Sequence, residues 1–401
     1  MRRPDVIAAT ALVGLLSAAV ATSPGQAQGP SEGVSLNSTL EPYLARYGLP
    51  ALAAAVVKNG VIVASGAVGM RRVGADVPVT ITDRFHIGSD TKAMTSLLAA
   101  MLVESGKIRW ISTVAEVFPE LAATMNADVK DVTLEQLLSH TSGIPIDNDS
   151  HEQMIQKSFA QERLNLDELR YWLIKQVVAQ PLQSKPGARF AYANLGYVLA
   201  GAMLERVSGK TWEELIVERV FDPLGLKSAG LGPQSSVGRI DAPLGHLPQE
   251  GRPPKSLLAG PGGDNPEIVG PAGLAHMSVL DFARWAAWNA GASKRGPALV
   301  TPETLNKLHT KVIDMPPKPD AAPGTPSIGA YGFGWVTVTL PYARGPVLAH
   351  GGSNLLNLAQ IIVQPEKDFG MVLMTNVGGL KADDALRALA EELYKRFLPA
   401  D

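Results

Sequence analysis

Phe85 to Gly106 reads FHIGSDTKAMTSLLAAMLVESG, and the fold is decided there. From Met94 the apolar residues fall at Met94, Leu97, Leu98, Met101 and Leu102, the i, i+3, i+4 spacing of a helix. Ala93, Ala99, Ala100 and Val103 fill the gaps, so almost no polar side remains and the helix is expected to be buried. Gly106 is placed to end it as a left-handed residue just past the last turn. Ser89 then stands at the start of a buried helix with Lys92 one turn on, over the same face. A serine hydroxyl needs an adjacent base to become a nucleophile. Burial and the positive end of the helix dipole both disfavour an ammonium, and so push Lys92 toward a neutral amine. The plainer reading makes Ser89 an N-cap and Lys92 a surface residue, and the S-x-x-K spacing alone leaves both open.

Working outward, Leu52–Val57 and Val61–Val68 are β-rich runs joined through Lys58-Asn59-Gly60, a strong hairpin signal. Leu36–Tyr47 before them reads as an amphipathic helix. Trp110 to about Leu226 is mostly helical, with Leu134–Leu138 starting behind Thr133 as N-cap and Gln136 three residues on. His140 to Gly143 ends that helix in a tight loop. Leu166–Val178 and Leu195–Val207 are further helices, the second closed by Ser208-Gly209. Pro243–Pro271 is rich in Gly and Pro and reads as a long surface loop. Val279–Asn289 is helical, and Met315–Pro326, with five prolines, is a loop. The period then returns to two over Gly334–Leu340, Val347–Ala349, Leu358–Gln364 and Phe369–Thr375, followed by a closing helix over Ala382–Phe397. The predicted fold class is α+β. An antiparallel sheet from 36–84 plus 330–398 is flanked by terminal helices, with a mostly helical part, about 85–329, inserted, and a cleft is expected between the two.

Composition narrows the function. The 401 residues carry 36 Lys+Arg against 38 Asp+Glu, a net charge of −2, with no basic stripe to bind nucleic acid. Cysteine is absent, which removes disulfides, thiol chemistry and cysteine lipidation. Seven scattered histidines without H-E-x-x-H give no metal site, and no cofactor is implied. No G-x-S-x-G is present to support an α/β-type Ser-His-Asp hydrolase. Arg2 and Arg3, the uncharged run Val6–Ala21 and Gly25-Gln26-Ala27 have the layout of a secretory signal peptide over 1–27, followed by a linker over 28–35. A periplasmic or secreted protein without a stable membrane anchor is expected.

Two more clusters hold chemistry. Tyr192-Ala193-Asn194 precedes a helix. A phenol near an ammonium can share or lose its proton, and Asn194 offers an amide to hold a substrate carbonyl and position Lys92. A helix entry with a buried Tyr and an Asn near the N-cap is the alternative. His350-Gly351-Gly352-Ser353 follows a strand signal, where glycine lets backbone approach a ligand; a Gly-rich turn between strands also accounts for Gly351 and Gly352.

Ser89-x-x-Lys92, Tyr192-x-Asn194 and His350-Gly-Gly together resemble the serine beta-lactamase-related superfamily, in its class C branch. That branch holds class C beta-lactamases, D-Ala-D-Ala carboxypeptidases, D-aminopeptidases and esterases. Leu137 to Gly143, Pro186-Gly187, Gly332 to Trp335 and Gly273 to Trp285 agree with it, and the similarity runs from about Leu36 to Leu398. The resemblance implies a single catalytic domain over 36–398 of beta-lactamase/transpeptidase-like fold. It implies Ser89 as acylated nucleophile, Lys92 and Tyr192 as the proton-handling pair, and Asn194, His350, Gly351, Gly352 and Ser353 as substrate-binding residues. The Ser89 and Ser353 amides would form the oxyanion hole. The departure is His350, where beta-lactamases of the family usually carry Lys. The expected substrates are therefore small esters, amides or peptides, esterase-like more than beta-lactamase. The alternatives are a beta-lactamase, a D-Ala-D-Ala carboxypeptidase or D-aminopeptidase, and, in another class, a penicillin-binding sensor that acylates and stalls.

Overall fold

The Asn-Gly hairpin is the seed of the sheet. Strands Ala51–Lys58 and Val61–Gly69 pair antiparallel across a two-residue loop. Asn59 and Gly60 both have positive φ, 51° and 77°, as a type I′ turn requires. The computed structural model describes residues 33–161, 164–260 and 262–399, which form one compact unit. The expected signal peptide and most of the linker lie outside the described residues; the linker's end, Val34–Ser35, is a short strand.

Nine strands make the main sheet, in the order Val34–Ser35, Val61–Gly69, Ala51–Lys58, Phe369–Thr375, Leu358–Gln364, Val347–Ser353, Val336–Val338, Gly329–Tyr331 and Ile313–Met315. Only the first pairing is parallel. N- and C-terminal segments are therefore neighbours at the centre, with Phe369–Thr375 in register against Leu52–Lys58. Alternation along the strands divides the core. Ala54, Val56, Leu373 and Met371 pack with Leu386, Leu389 and Leu393 of the closing helix Leu380–Phe397 and with Leu40 of the first helix, Asn37–Tyr47. Ala53, Ala55, Val372 and Met374 face the opposite way, onto Phe282 and Trp285 of the helix Val279–Ala290 and the helix Thr91–Glu104 beyond. Val279–Ala290 thus lies on the sheet, although it falls inside the inserted stretch.

In the helix Thr91–Glu104 every residue from Thr91 to Leu102 is buried, which its lack of a polar side requires. Gly106 is left-handed at φ 69° just beyond it. Thr133 and Gln136 close a reciprocal capping box on Leu134–Leu138. Helices Leu166–Val177 and Asn194–Ser208 follow, the latter ended by Gly209 at φ 74°.

Three expectations need correction. The strand predicted over Gly334–Leu340 is shorter, Val336–Val338, and pairs with an unpredicted strand, Gly329–Tyr331, across a turn in which the Gly332 N–H donates to the Trp335 carbonyl. The strand predicted over Val347–Ala349 continues to Ser353, so His350 to Ser353 is strand rather than turn. Its neighbour Leu358–Gln364 pairs along the whole length and holds the glycines extended. Pro243–Pro271 is not all surface loop: Gly270–Gly273 is a buried helical turn packed along the helix Thr91–Glu104.

Candidate active site

Ser89 sits in a short 3₁₀ turn, Gly88–Asp90, that leads directly into the helix Thr91–Glu104. The end of the Val347–Ser353 strand crosses this turn at backbone contact. A Cβ on Gly88, whose φ is 51°, would stand 2.4 Å from the Ser353 nitrogen, and one on Gly352 would stand 1.9 Å from the Ile87 carbonyl oxygen and 2.6 Å from the Ser89 nitrogen. Only glycine fits at either place. That contact brings the Ser89 and Ser353 amides to one wall of the site.

The Lys92 ammonium position is fixed by three partners. Lys92 Nζ lies 2.8 Å from Ser89 Oγ, 2.7 Å from Asn194 Oδ1 and 2.7 Å from the Ala272 carbonyl oxygen. Its side chain is wholly buried, and burial brings its pKa down to about 7, against the opposing pull of Asp147 and then Asp90. A neutral amine has two hydrogens and one lone pair. The two carbonyl-type acceptors take the hydrogens, leaving the lone pair for the Ser89 hydroxyl. The Ala272 carbonyl is held by the turn Gly270–Gly273, which is clamped along the helix: Thr95 Oγ1 donates to the Pro271 carbonyl at 2.8 Å, and the Ala275 N–H donates to Thr91 Oγ1 at 3.1 Å.

Asn194 opens its helix with the side chain toward Lys92. Its orientation is set by Asp147, which accepts from the Asn194 backbone N–H at 3.2 Å and from its side-chain amide, so Oδ1 is left for the amine. Asp147 was not singled out in the sequence; it lies on an irregular loop after Gly143 with no spacing to mark it.

Tyr192 is close but differently placed than expected. Lys92 Nζ stands 4.9 Å from its ring centroid, over the ring rather than at the hydroxyl. Burial drives the phenol pKa far above its usual 10. The Ser89 hydroxyl offsets part of that rise, yet no hydrogen bond of sound geometry closes, and Tyr192 Oη has no partner among the described residues. The expected phenolate is therefore replaced by a neutral phenol. His140, at φ 56°, stacks on Tyr192 with centroids 4.2 Å apart and accepts the Ala193 N–H on Nδ1 at 3.2 Å. Burial holds its pKa well below 6.5.

His350 also departs from expectation. Its side chain is fully buried. Nδ1 lies 2.7 Å from the Gly351 carbonyl, and Nε2 lies 3.2 Å from Tyr331 Oη. Those contacts fit one neutral tautomer, with Nδ1–H donating and Nε2 accepting. Burial, then Lys92, lowers its pKa to about 3. The imidazole expected to contact substrate is turned into the protein. Asp90, also unnoticed in the sequence, lies 3.7 Å from Nδ1 with both oxygens buried and unpartnered among the described residues, and burial raises its pKa well above 3.8. Among the described residues no group of three His, Cys, Asp or Glu is arranged to hold a metal, and no helix is long and apolar enough to cross a membrane.

Beside Tyr192 and Asn194 opens a cleft of about 460 Å³, walled on its far side by the proline loop 316–326.

The family model described as Beta-lactamase matches residues 36–395. Protein flp of Staphylococcus aureus (strain MRSA252) is 24% identical over 346 residues, 85% of this chain. The chain spans 62% of the length of that relative. Penicillin-binding protein 4 of Amycolatopsis lactamdurans is 26% identical over 331 residues, 81% of each chain. Among solved structures, the octameric penicillin-binding protein homologue from Pyrococcus abyssi superimposes with a TM-score of 0.71 at 26% identity, covering 91% of this chain and 77% of that one.

Proposed function

The chain belongs to the beta-lactamase family, a family of serine hydrolases, and from that premise we propose that it hydrolyses small esters or amides through an acyl-enzyme at Ser89, outside the cytoplasm and without a membrane anchor or a nucleic-acid partner. The observation that carries this is the Ser89–Lys92 contact: a buried amine with pKa about 7, its two hydrogens engaged by Asn194 and Ala272 and its lone pair left for the hydroxyl. Ser89 Oγ attacks the acyl carbon while its proton passes to Lys92 Nζ. The resulting ammonium returns the proton to the departing alkoxide or amine. The developing oxyanion is received by the Ser89 and Ser353 N–H groups. Tyr192 enters as a neutral phenol, a donor to the leaving group rather than the acceptor of the Ser89 proton. Water then attacks the acyl carbon as Lys92 takes its proton, and the acyl–Oγ bond breaks as Lys92 returns that proton to Ser89 Oγ, releasing the acid.

The buried neutral His350 supports the esterase-like side of the reading. A carboxylate next to the scissile bond, as in a β-lactam, meets no cation from that position. Losing one charged hydrogen bond lowers affinity roughly ten- to a hundredfold. Mass spectrometry after fluorophosphonate treatment is expected to place the adduct on the Ser89 peptide, and p-nitrophenyl acetate is expected to turn over faster than nitrocefin. An adduct elsewhere with Ser89→Ala still active overturns the mechanism. Faster nitrocefin turnover overturns the substrate class, and a stoichiometric burst without turnover assigns the stalled sensor instead.

A further inference from the structure

With His350 unable to present a charge, the question is which cation a substrate anion would meet. Arg344 is ruled out by position. Its backbone N–H donates to Tyr394 Oη and its carbonyl accepts from Gln364, at the start of the strand that ends at Ser353. The strand's rise alone separates the two by roughly 20 Å. Arg387 is held by Asp383 on the opposite face of the sheet.

The cleft beside Tyr192 and Asn194 is walled mainly by apolar groups, among them Ile146, Phe190, Met315 and Pro326. Two charged residues line it, Asp147 and Lys318. Asp147 is already engaged by both N–H groups of Asn194. Lys318 forms no ion pair among the described residues, yet its backbone is pinned. Its N–H donates to the Ser327 carbonyl at 2.8 Å and its carbonyl accepts the Ala321 N–H at 3.1 Å. Pro316, Pro317 and Pro319 fix φ on either side. Lys318 is exposed, and an exposed lysine on a cleft wall can lay its methylenes on apolar neighbours while its ammonium stays in water, free to meet an anion.

We infer that Lys318 is a specificity-determining residue, the cation that receives a carboxylate carried at the far end of the substrate, away from the scissile bond. The site then selects by the position of the charge. An anion adjacent to the reacting carbonyl finds nothing at 350, whereas one several bonds distant reaches 318. The inference rests on the acyl-transfer reading of Ser89.

The test compares matched esters that differ only in a distal carboxylate. Mono-p-nitrophenyl adipate against p-nitrophenyl hexanoate places the charge on the acyl side. 4-(Hexanoyloxy)benzoate against phenyl hexanoate places it on the leaving group. Dividing each charged-to-neutral ratio of kcat/KM in wild type by that in Lys318→Met cancels intrinsic reactivity. One pair is expected to give a double ratio of roughly tenfold, a charge-assisted contact reduced by partial exposure. Lys318→Arg is expected to keep the preference and Lys318→Glu to invert it, each read as the charged-to-neutral ratio. Both double ratios within twofold of one, with the esters still acylating Ser89, overturn this inference and leave the hydrolase standing. Failure of every ester to acylate Ser89 overturns both.

Discussion

Among the described residues one lysine and one arginine are wholly buried, Lys92 and Arg170, and they have opposite fates. Arg170, on the helix Leu166–Val177, donates to the Ile268 carbonyl at 3.2 Å, to Glu205 and to Glu213 at 2.6 Å. Lys92 meets a hydroxyl, an amide oxygen and a carbonyl, all neutral. A guanidinium cannot lose its proton, so it is buried only with carboxylates to match it. Even there, burial lifts Glu205 to about 7 against the pull of Arg170. An ammonium given only neutral partners sheds its proton instead. One arrangement makes a clamp between helices and the other, in the mechanism proposed, a base. The clamp also serves the base: Arg170 grips Ile268, two residues before the turn whose Ala272 carbonyl orients Lys92.

The largest effect comes from forcing the Lys92 site to behave like the Arg170 site. Lys92→Arg installs a cation that never deprotonates, and kcat for a p-nitrophenyl ester is expected to fall about ten-thousandfold or more. Retention of a tenth of the activity would remove Lys92 from the proton path. Next, replacing each cation by Met should move stability in opposite directions. Arg170→Met strands two partly or fully buried carboxylates and is expected to cost about 3–5 kcal/mol in urea unfolding at pH 7. Lys92→Met removes a group that must give up its proton to fold, and is expected to stabilise by about 1–3 kcal/mol. The sign follows from linkage. Between about 7, its folded pKa, and 10.5, its ordinary value, the unfolded chain binds more protons at Lys92 than the folded one. Wild-type stability from this residue therefore rises with pH across that window, and the advantage of Lys92→Met should shrink toward pH 10. An advantage that stays constant with pH, or a destabilised Lys92→Met, would show the lysine to be charged in the fold.

The sequence makes some parts of this arrangement plain and hides others for physical reasons. Side-chain signals with local causes are legible. Asn59-Gly60 gives the hairpin, Thr133 with Gln136 gives a capping box, and the alternation over Leu358–Gln364 and Phe369–Thr375 matches two central strands residue for residue. Ser89, Lys92 and Asn194 come together because a helix start and a helix entry face each other across the core. What is hidden depends on backbone or on orientation. The second acceptor of Lys92 is the carbonyl of Ala272, and no residue type announces a carbonyl. The glycines at 351 and 352 weaken any strand signal, while close approach to the Ser89 turn demands Gly352 within a strand and Gly351 packs tightly on Gly324. His350 lies on the face its position in the strand dictates, but whether an imidazole on that face reaches substrate or is buried depends on Tyr331 and Asp90, which come from distant segments.

The smallest effect concerns Asp147, the carboxylate nearest to giving Lys92 what Arg170 has. It acts on Lys92 through space and on Asn194 by hydrogen bonds, and it favours the ammonium. The reactive form is the free amine, so kcat/KM is expected to rise with pH through a limb near 7 in the wild type. Asp147→Asn removes the negative charge while keeping an oxygen that can still accept from Asn194. The limb should then move to lower pH, because the largest influence favouring the proton on Lys92 is gone. The pH-independent plateau should fall only a few-fold, since the nucleophile and the base are untouched. Asp147→Ala, which also frees the Asn194 amide to turn, is expected to shift the limb in the same direction with a larger loss in the plateau. A limb that moves upward in Asp147→Asn, or does not move, would mean that the group titrating near 7 is not Lys92, and the contrast between the two buried cations would lose its chemical half.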